Sequence, residues 1–171
     1  PPGAPFFVII ANFFSNLAFG NSSNVAWMIN FMSALCSAIT IVFLFWIITN
    51  FSKKITELNK KELTDFSKFN ILFGGIIGAL IYTFSDSFWF SAVEGEVYAM
   101  SSLFTAIVFW SILKWEIEFE KPYANRWLVL ISFLIGLSVG VHMLNLLAIP
   151  AISSIYLYKK WTSKKLHEFS K

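Results

Sequence analysis

Six residues in an otherwise apolar chain have side chains suited to protons, phosphates or sugar hydroxyls: Asp86, Glu94, Glu96, Tyr98, His142 and Asn145. Glu94 and Glu96 lie in the stretch "FWFSAVEGEVYAMSSLF", Phe88 to Phe104, with only Gly95 between them and no basic residue nearby. Two adjacent carboxylates invite an acid–base reading, one keeping a proton while the other accepts one. On a helix, however, positions two apart are about 200° apart, so the pair shares no face and is not a dyad. Two readings remain. Both residues precede or open an apolar helix, where negative charge favours the helix dipole by roughly 0.3–1 kcal/mol and Ser91 or Glu94 is placed to cap. Alternatively, one of the two faces a polar cavity. Asp86, in "SDS", fits the polar end of a span. His142, close to Gly136, Gly140 and Asn145, fits a turn better than a metal site, since His167 is the only other histidine and lies far along the chain. No metal site and no cofactor are expected.

The elements that must position these residues are set by composition. Of 171 residues, 57% are hydrophobic, 19% aromatic and 13% charged, against roughly 25% charged in soluble domains. With a mean hydropathy of +0.67, this composition excludes an ordinary soluble domain and predicts an integral membrane protein whose main partner is the lipid bilayer. Cys36 is the single cysteine, so no internal disulfide forms. No nucleic-acid signature appears, and there is no glycine loop to cradle phosphate. "FGGIIGAL" (73–80) reads as a helix-packing face on Gly74 and Gly78. Asn21-Ser22-Ser23 matches a glycosylation sequon, a pattern frequent by chance.

A spanning helix needs about 20 mostly apolar residues. Residues 25–51, 70–90 and 96–115 meet this. The apolar run 127–158 is too long for one crossing and contains Gly136, Gly140, His142, Asn145 and Pro150, which divides it into spans 127–141 and 146–158 joined near His142. Residues 1–24 read as an outer juxtamembrane segment with an interfacial helix. Residues 52–69 read as a cytoplasmic amphipathic loop with a Glu57–Lys61 pair.

The 13 Lys and Arg fall in three segments: five in 52–69, three in 114–126 and five in 159–171. Short basic loops stay in the cytoplasm. If all three are cytoplasmic, the chain crosses five times. The opposite face then gathers Pro1, Pro2, Asp86, Glu94, Glu96, Tyr98, His142 and Asn145. Ionisable groups at a membrane boundary are costly and often functional, and these come from separate segments able to line one cavity. Two function classes fit: an enzyme acting at the outer surface on a lipid-linked or polymeric substrate, or a transporter or structural scaffold subunit whose acids line a path. Acids confined to one surface favour the enzyme, since transporters place charge deep in matched half-repeats.

Four blocks carry a family resemblance: "PPGAPFF" (1–7), "AWMINFMSALCSAITIVFLFW" (26–46), "YTFSDSFWFSAVEGEVYAMSSLFTAIVFWSILKWE" (82–116) and "RWLVLISFLIGLSVGVHMLNLLAIPAI" (126–152). Together they resemble the membrane-protein family called domain of unknown function 2723, which has eukaryotic relatives that are protein O-mannosyltransferases. The resemblance covers nearly the whole chain. It implies an all-α, polytopic membrane helix bundle of the GT-C glycosyltransferase type, set in a bacterial inner membrane with its active face periplasmic. The implied donor is a polyprenyl-phosphate-linked sugar, and the implied acceptor is a protein or glycan hydroxyl. Relatives carry an acidic Trp-Asp-x-x-Glu-Phe loop ahead of a His-Pro-Pro-Gly-Ala-Pro motif. The resemblance therefore implies that this chain is an N-terminal membrane fragment starting after the general base, with no catalytic residue of its own and with the substrate-cavity candidates named above.

Overall fold

The computed structural model describes residues 3–59 and 63–169, with side chains described through Ser163. Among these residues the secondary structure is helical throughout: α1 (Pro5–Asn16), α2 (Ser22–Leu58), α3 (Asp65–Thr83), α4 (Asp86–Val93), α5 (Val97–Ile117), α6 (Asn125–Val139), a 3-10 helix (Met143–Leu147) and α7 (Ala148–Phe169). Three of them, α2, α3 and α5, are long and apolar enough to cross a membrane. The chain is therefore an all-helical membrane protein.

Local chemistry sets the helix ends. Pro5 occupies the first turn of α1, where its missing N–H costs nothing. The link to α2 turns through two left-handed residues, Phe19 at φ 50° and Gly20 at φ 81°. Asn21 then caps α2, its side chain accepting from the Ser23 amide. Thr64 caps α3 by accepting from the Ser67 amide at 3.2 Å.

α2 runs 37 residues, about 55 Å at 1.5 Å per residue, so it overshoots a hydrocarbon core of about 30 Å. This corrects the expected boundary at residue 51: the first part of the segment 52–69 continues α2 instead of forming a loop. Glu57 meets Lys53 at 3.8 Å, while the expected partner Lys61 lies outside the described residues. The expected single span 70–90 is also corrected. It breaks after Thr83, whose hydroxyl bonds back to the Ala79 carbonyl at 2.8 Å. Ser85 then adopts an extended conformation and α4 starts at Asp86.

α5 is the central element. One core cluster unites Val108, Ile112 and Trp115 of α5 with Ile131 of α6 and Ile152 of α7. A second unites Ala99, Met100 and Phe104 of α5 with Met32 and Cys36 of α2, Val141, and partly buried side chains of α1. α3 packs on α2 through Gly75, where an added methyl carbon would lie 2.5 Å from Thr49, and Gly78, where it would lie 2.9 Å from Ile48. Gly74 has open space beside it, so the close face is Gly75 and Gly78 in place of the expected Gly74 and Gly78.

α2 and α5 run parallel, because Gly95 touches Ile29 at one end and Lys54 pairs with Glu116 at the other. The bundle thus has two chemically distinct ends. Lys53, Lys54, Lys68, Lys114, Lys121, Arg126 and Lys159 gather toward one of them. The other is built from the start of α5 and the turn between α6 and α7.

Candidate functional site

The non-basic end is assembled around the turn after α6. Gly140 ends that helix in a right-handed conformation, and its carbonyl accepts from the Phe6 amide of α1 at 2.8 Å. A methyl carbon on Gly140 would sit 2.9 Å from Phe6 Cβ, so only glycine lets α1 dock this closely. His142 follows in an extended conformation. Its Nδ1 accepts from the Leu144 amide at 3.2 Å, capping the 3-10 helix. With Nδ1 occupied as acceptor, the neutral imidazole carries its proton on Nε2.

Tyr98 in the first turn of α5 meets His142, with ring centroids 5.6 Å apart at 44°. Tyr98 is 51% exposed and His142 is half-buried. The structure therefore joins two of the candidates from distant parts of the chain into one aromatic surface with a phenol and an imidazole N–H.

Asn145 lies behind that surface. It is buried, its Oδ1 accepting from Ser101 at 2.5 Å and from Thr105 at 3.3 Å, while its Nδ2 donates to the Ser138 carbonyl at 3.2 Å. The amide ties α5, α6 and the 3-10 helix together, so Asn145 fixes the turn that presents His142. Ser101 and Thr105 were not foreseen as partners. Their spacing of four on an apolar helix was the available signal, since it puts both hydroxyls on one face.

Glu94 and Glu96 are both exposed, and neither lies inside a helix. Glu94 ends α4 and Glu96 precedes α5, both extended. The Glu96 amide bonds to the Glu94 carbonyl at 2.9 Å across Gly95. The argument from helical spacing is thereby superseded, because the chain makes a three-residue turn there. The capping expectation is corrected too. Ser91 bonds back to the Ser87 carbonyl, and α5 starts without a side-chain cap. Gly95 packs on α2, where an added methyl carbon would lie 2.8 Å from Ile29 Cγ2 and 3.0 Å from Asn30 Oδ1.

Asp86 is exposed in the first turn of α4, where its charge suits the helix dipole. It opens the eight-residue helix that Glu94 closes, about 12 Å away along the axis. Pro1 and Pro2 lie outside the described residues. Among the described residues, no three His, Cys, Asp or Glu side chains are grouped to bind a metal.

A family model described as the protein O-mannosyl-transferase TMEM260 N-terminal domain matches residues 1–165. Protein O-mannosyl-transferase tmem260 of Dictyostelium discoideum is 30% identical over 108 residues, which make up 63% of this chain and 11% of that protein. The chain thus spans a small part of this relative's length. No solved structure matches.

Proposed function

This chain belongs to the family of the protein O-mannosyl-transferase TMEM260 N-terminal domain, and from that membership we propose that it supplies part of the membrane-embedded substrate cavity of a glycosyltransferase. The donor in this reading is a sugar on polyprenyl phosphate, and the acceptor is a protein or glycan hydroxyl. Transfer takes place at the non-basic, outer face, which we assign to the periplasmic side of a bacterial inner membrane. The fold is read as GT-C-like, with α6 and α7 adding a fourth and fifth crossing to α2, α3 and α5. α1 lies along the outer interface.

The observation that carries the reading is the meeting of Tyr98 and His142 at that face. In the reaction, the acceptor oxygen attacks the anomeric carbon, the bond from that carbon to the phosphate oxygen breaks, and the acceptor proton passes to a base. In this chain, the Nε2–H of His142 is a hydrogen-bond donor suited to the leaving phosphate oxygen. Tyr98 offers a ring face to a sugar and a hydroxyl to its oxygens. Asn145 keeps the His142 turn in register through Ser101 and Thr105. Glu94 and Glu96 stand exposed at the rim.

The test is transfer from a polyprenyl-phosphate-linked mannose to an acceptor peptide by the full-length protein. His142→Ala is expected to lower the rate by about a hundred-fold, the cost of one donor to a developing anion. Glu94→Gln and Glu96→Gln, in the same assay, show which of the rim acids contacts substrate. Wild-type rates in all three variants would remove this face from the mechanism. Sugar flux without any transfer would favour the transporter reading.

A further inference from the structure

The basic end of the bundle carries a recess of about 400 Å³ that the proposed transfer does not use. Its polar lining includes Lys53, Lys54 and Glu57 of α2, Glu116 of α5 and Lys159 of α7. Its depth relative to the bilayer is marked by aromatic residues. Trp46 and Trp110 lie with ring centroids 5.9 Å apart, Phe43 packs on both, and Trp127 meets Trp110 at 5.5 Å. Tryptophans cluster where hydrocarbon gives way to headgroups. Lys53 lies seven residues beyond Trp46 on the same helix, about 10 Å further along. The recess therefore sits at headgroup level.

Its charges select among headgroups. Lys54 pairs with Glu116, whose side chain is the more enclosed of the two at 12% exposed. Lys53 stands 3.8 Å from Glu57, and both are more than half exposed. Lys159 lies 5.7 Å above the Phe119 ring. Three ammonium groups against two carboxylates leave one positive charge, which matches a singly charged phosphodiester. Exposed Phe51 lines the same recess, two residues toward the bilayer from Lys53, and offers apolar contact to a glycerol backbone and the acyl chains below it. An adjoining recess shares Asn50 and Lys53 and adds Lys68 of α3, which extends the positive surface around α2.

We propose that this recess binds the phosphodiester headgroup of an anionic glycerophospholipid, with its acyl chains along Phe51. The site is independent of the sugar chemistry at the opposite end. It would tie the exposed end of α2 to α5 and α7 through a lipid shared by all three.

The experiment is lipid titration of the purified full-length protein in detergent, read by thermal midpoint and by native mass spectrometry. The ligands are phosphatidylglycerol, phosphatidylcholine and soluble glycerol 3-phosphate. Phosphatidylglycerol is expected to bind and to raise the midpoint, with little effect from the other two. Lys53→Gln combined with Lys159→Gln is expected to weaken phosphatidylglycerol binding about thirty-fold, two lost phosphate-facing charges at the usual contribution of each. The paired Lys→Arg variant is expected to retain binding, which separates lost charge from misfolding. Equal binding of phosphatidylcholine would overturn charge selection. Equal binding of glycerol 3-phosphate would show a free-anion site and overturn the lipid. Unchanged binding by the double Gln variant would move the lipid elsewhere.

Discussion

Gly95 shows at the scale of one residue what the pair of acids around it did not. In sequence, Glu94 and Glu96 draw attention because they carry charge. In the structure, the glycine between them sets the local geometry, because it lets the α4–α5 turn lie against α2. Its φ is outside the left-handed region, so the requirement is space and not backbone freedom. Gly95→Ala is therefore expected to destabilise the protein by about 1–3 kcal/mol, the usual range for overpacking a tight contact. Adding Ile29→Ala, which removes the clashing Cγ2, should recover part of that loss. Denaturation midpoints of the two single variants and the double variant measure it, and strict additivity would show that the contact is not the cause. Asn145 illustrates the same limit of sequence reading. A polar residue in an apolar run stands out in the sequence, but its hydrogen bonds come from Ser101 and Thr105, 44 and 40 residues away. No periodicity links residues across such a separation.

At the scale of elements, the turn between α5 and α6 depends on a carboxylate outside the spans. Glu118 accepts from the Trp127 indole at 2.8 Å and from Lys121 at 3.2 Å. The Trp127 bond, then Lys121, hold its pKa below the ordinary glutamate value. The unfolded chain therefore binds the proton more readily than the folded one. The stabilisation is complete above the ordinary glutamate pKa and is lost as pH falls through the lower folded value. Glu118→Gln should lower the thermal midpoint at pH 7, and the two proteins should converge as the medium is acidified below the carboxylate range. A gap independent of pH would remove the charge from the explanation. Long apolar runs made α2 and α5 legible as helices, since their length and hydropathy need no partner. The break between α3 and α4 was not legible. It lies in "TFSDS", where apolar residues continue on both sides and side-chain-to-backbone bonds from Thr83 and Ser85 end the helix without a glycine or proline.

At the scale of the whole molecule, charge placement carried further than any motif. Basic residues from three separate segments predict that two chain reversals and the last stretch of the chain share one face, and the packing brings the described ones toward one end through Lys54–Glu116 and the recess shared with Lys159. A helix bundle of this kind has no intrinsic up or down. Orientation comes from the cost of carrying lysine across the bilayer, so the basic end should be cytoplasmic. Single cysteines test this in a background where Cys36 is replaced by alanine. Ser22 and Glu94 at the non-basic end and Asn59 and Glu120 at the basic end are all exposed, so labelling reports the side of the membrane and not burial. An impermeant maleimide applied to intact cells should label Ser22→Cys and Glu94→Cys, and should reach Asn59→Cys and Glu120→Cys only after permeabilisation. The reversed pattern would invert the molecule and put the Tyr98–His142 surface in the cytoplasm. Labelling of Ser22→Cys and Glu94→Cys from opposite sides would be a different failure. It would mean that α2 and α3 do not form a returning pair, and the contacts of Gly75 and Gly78 with α2 would then have to be abandoned as well.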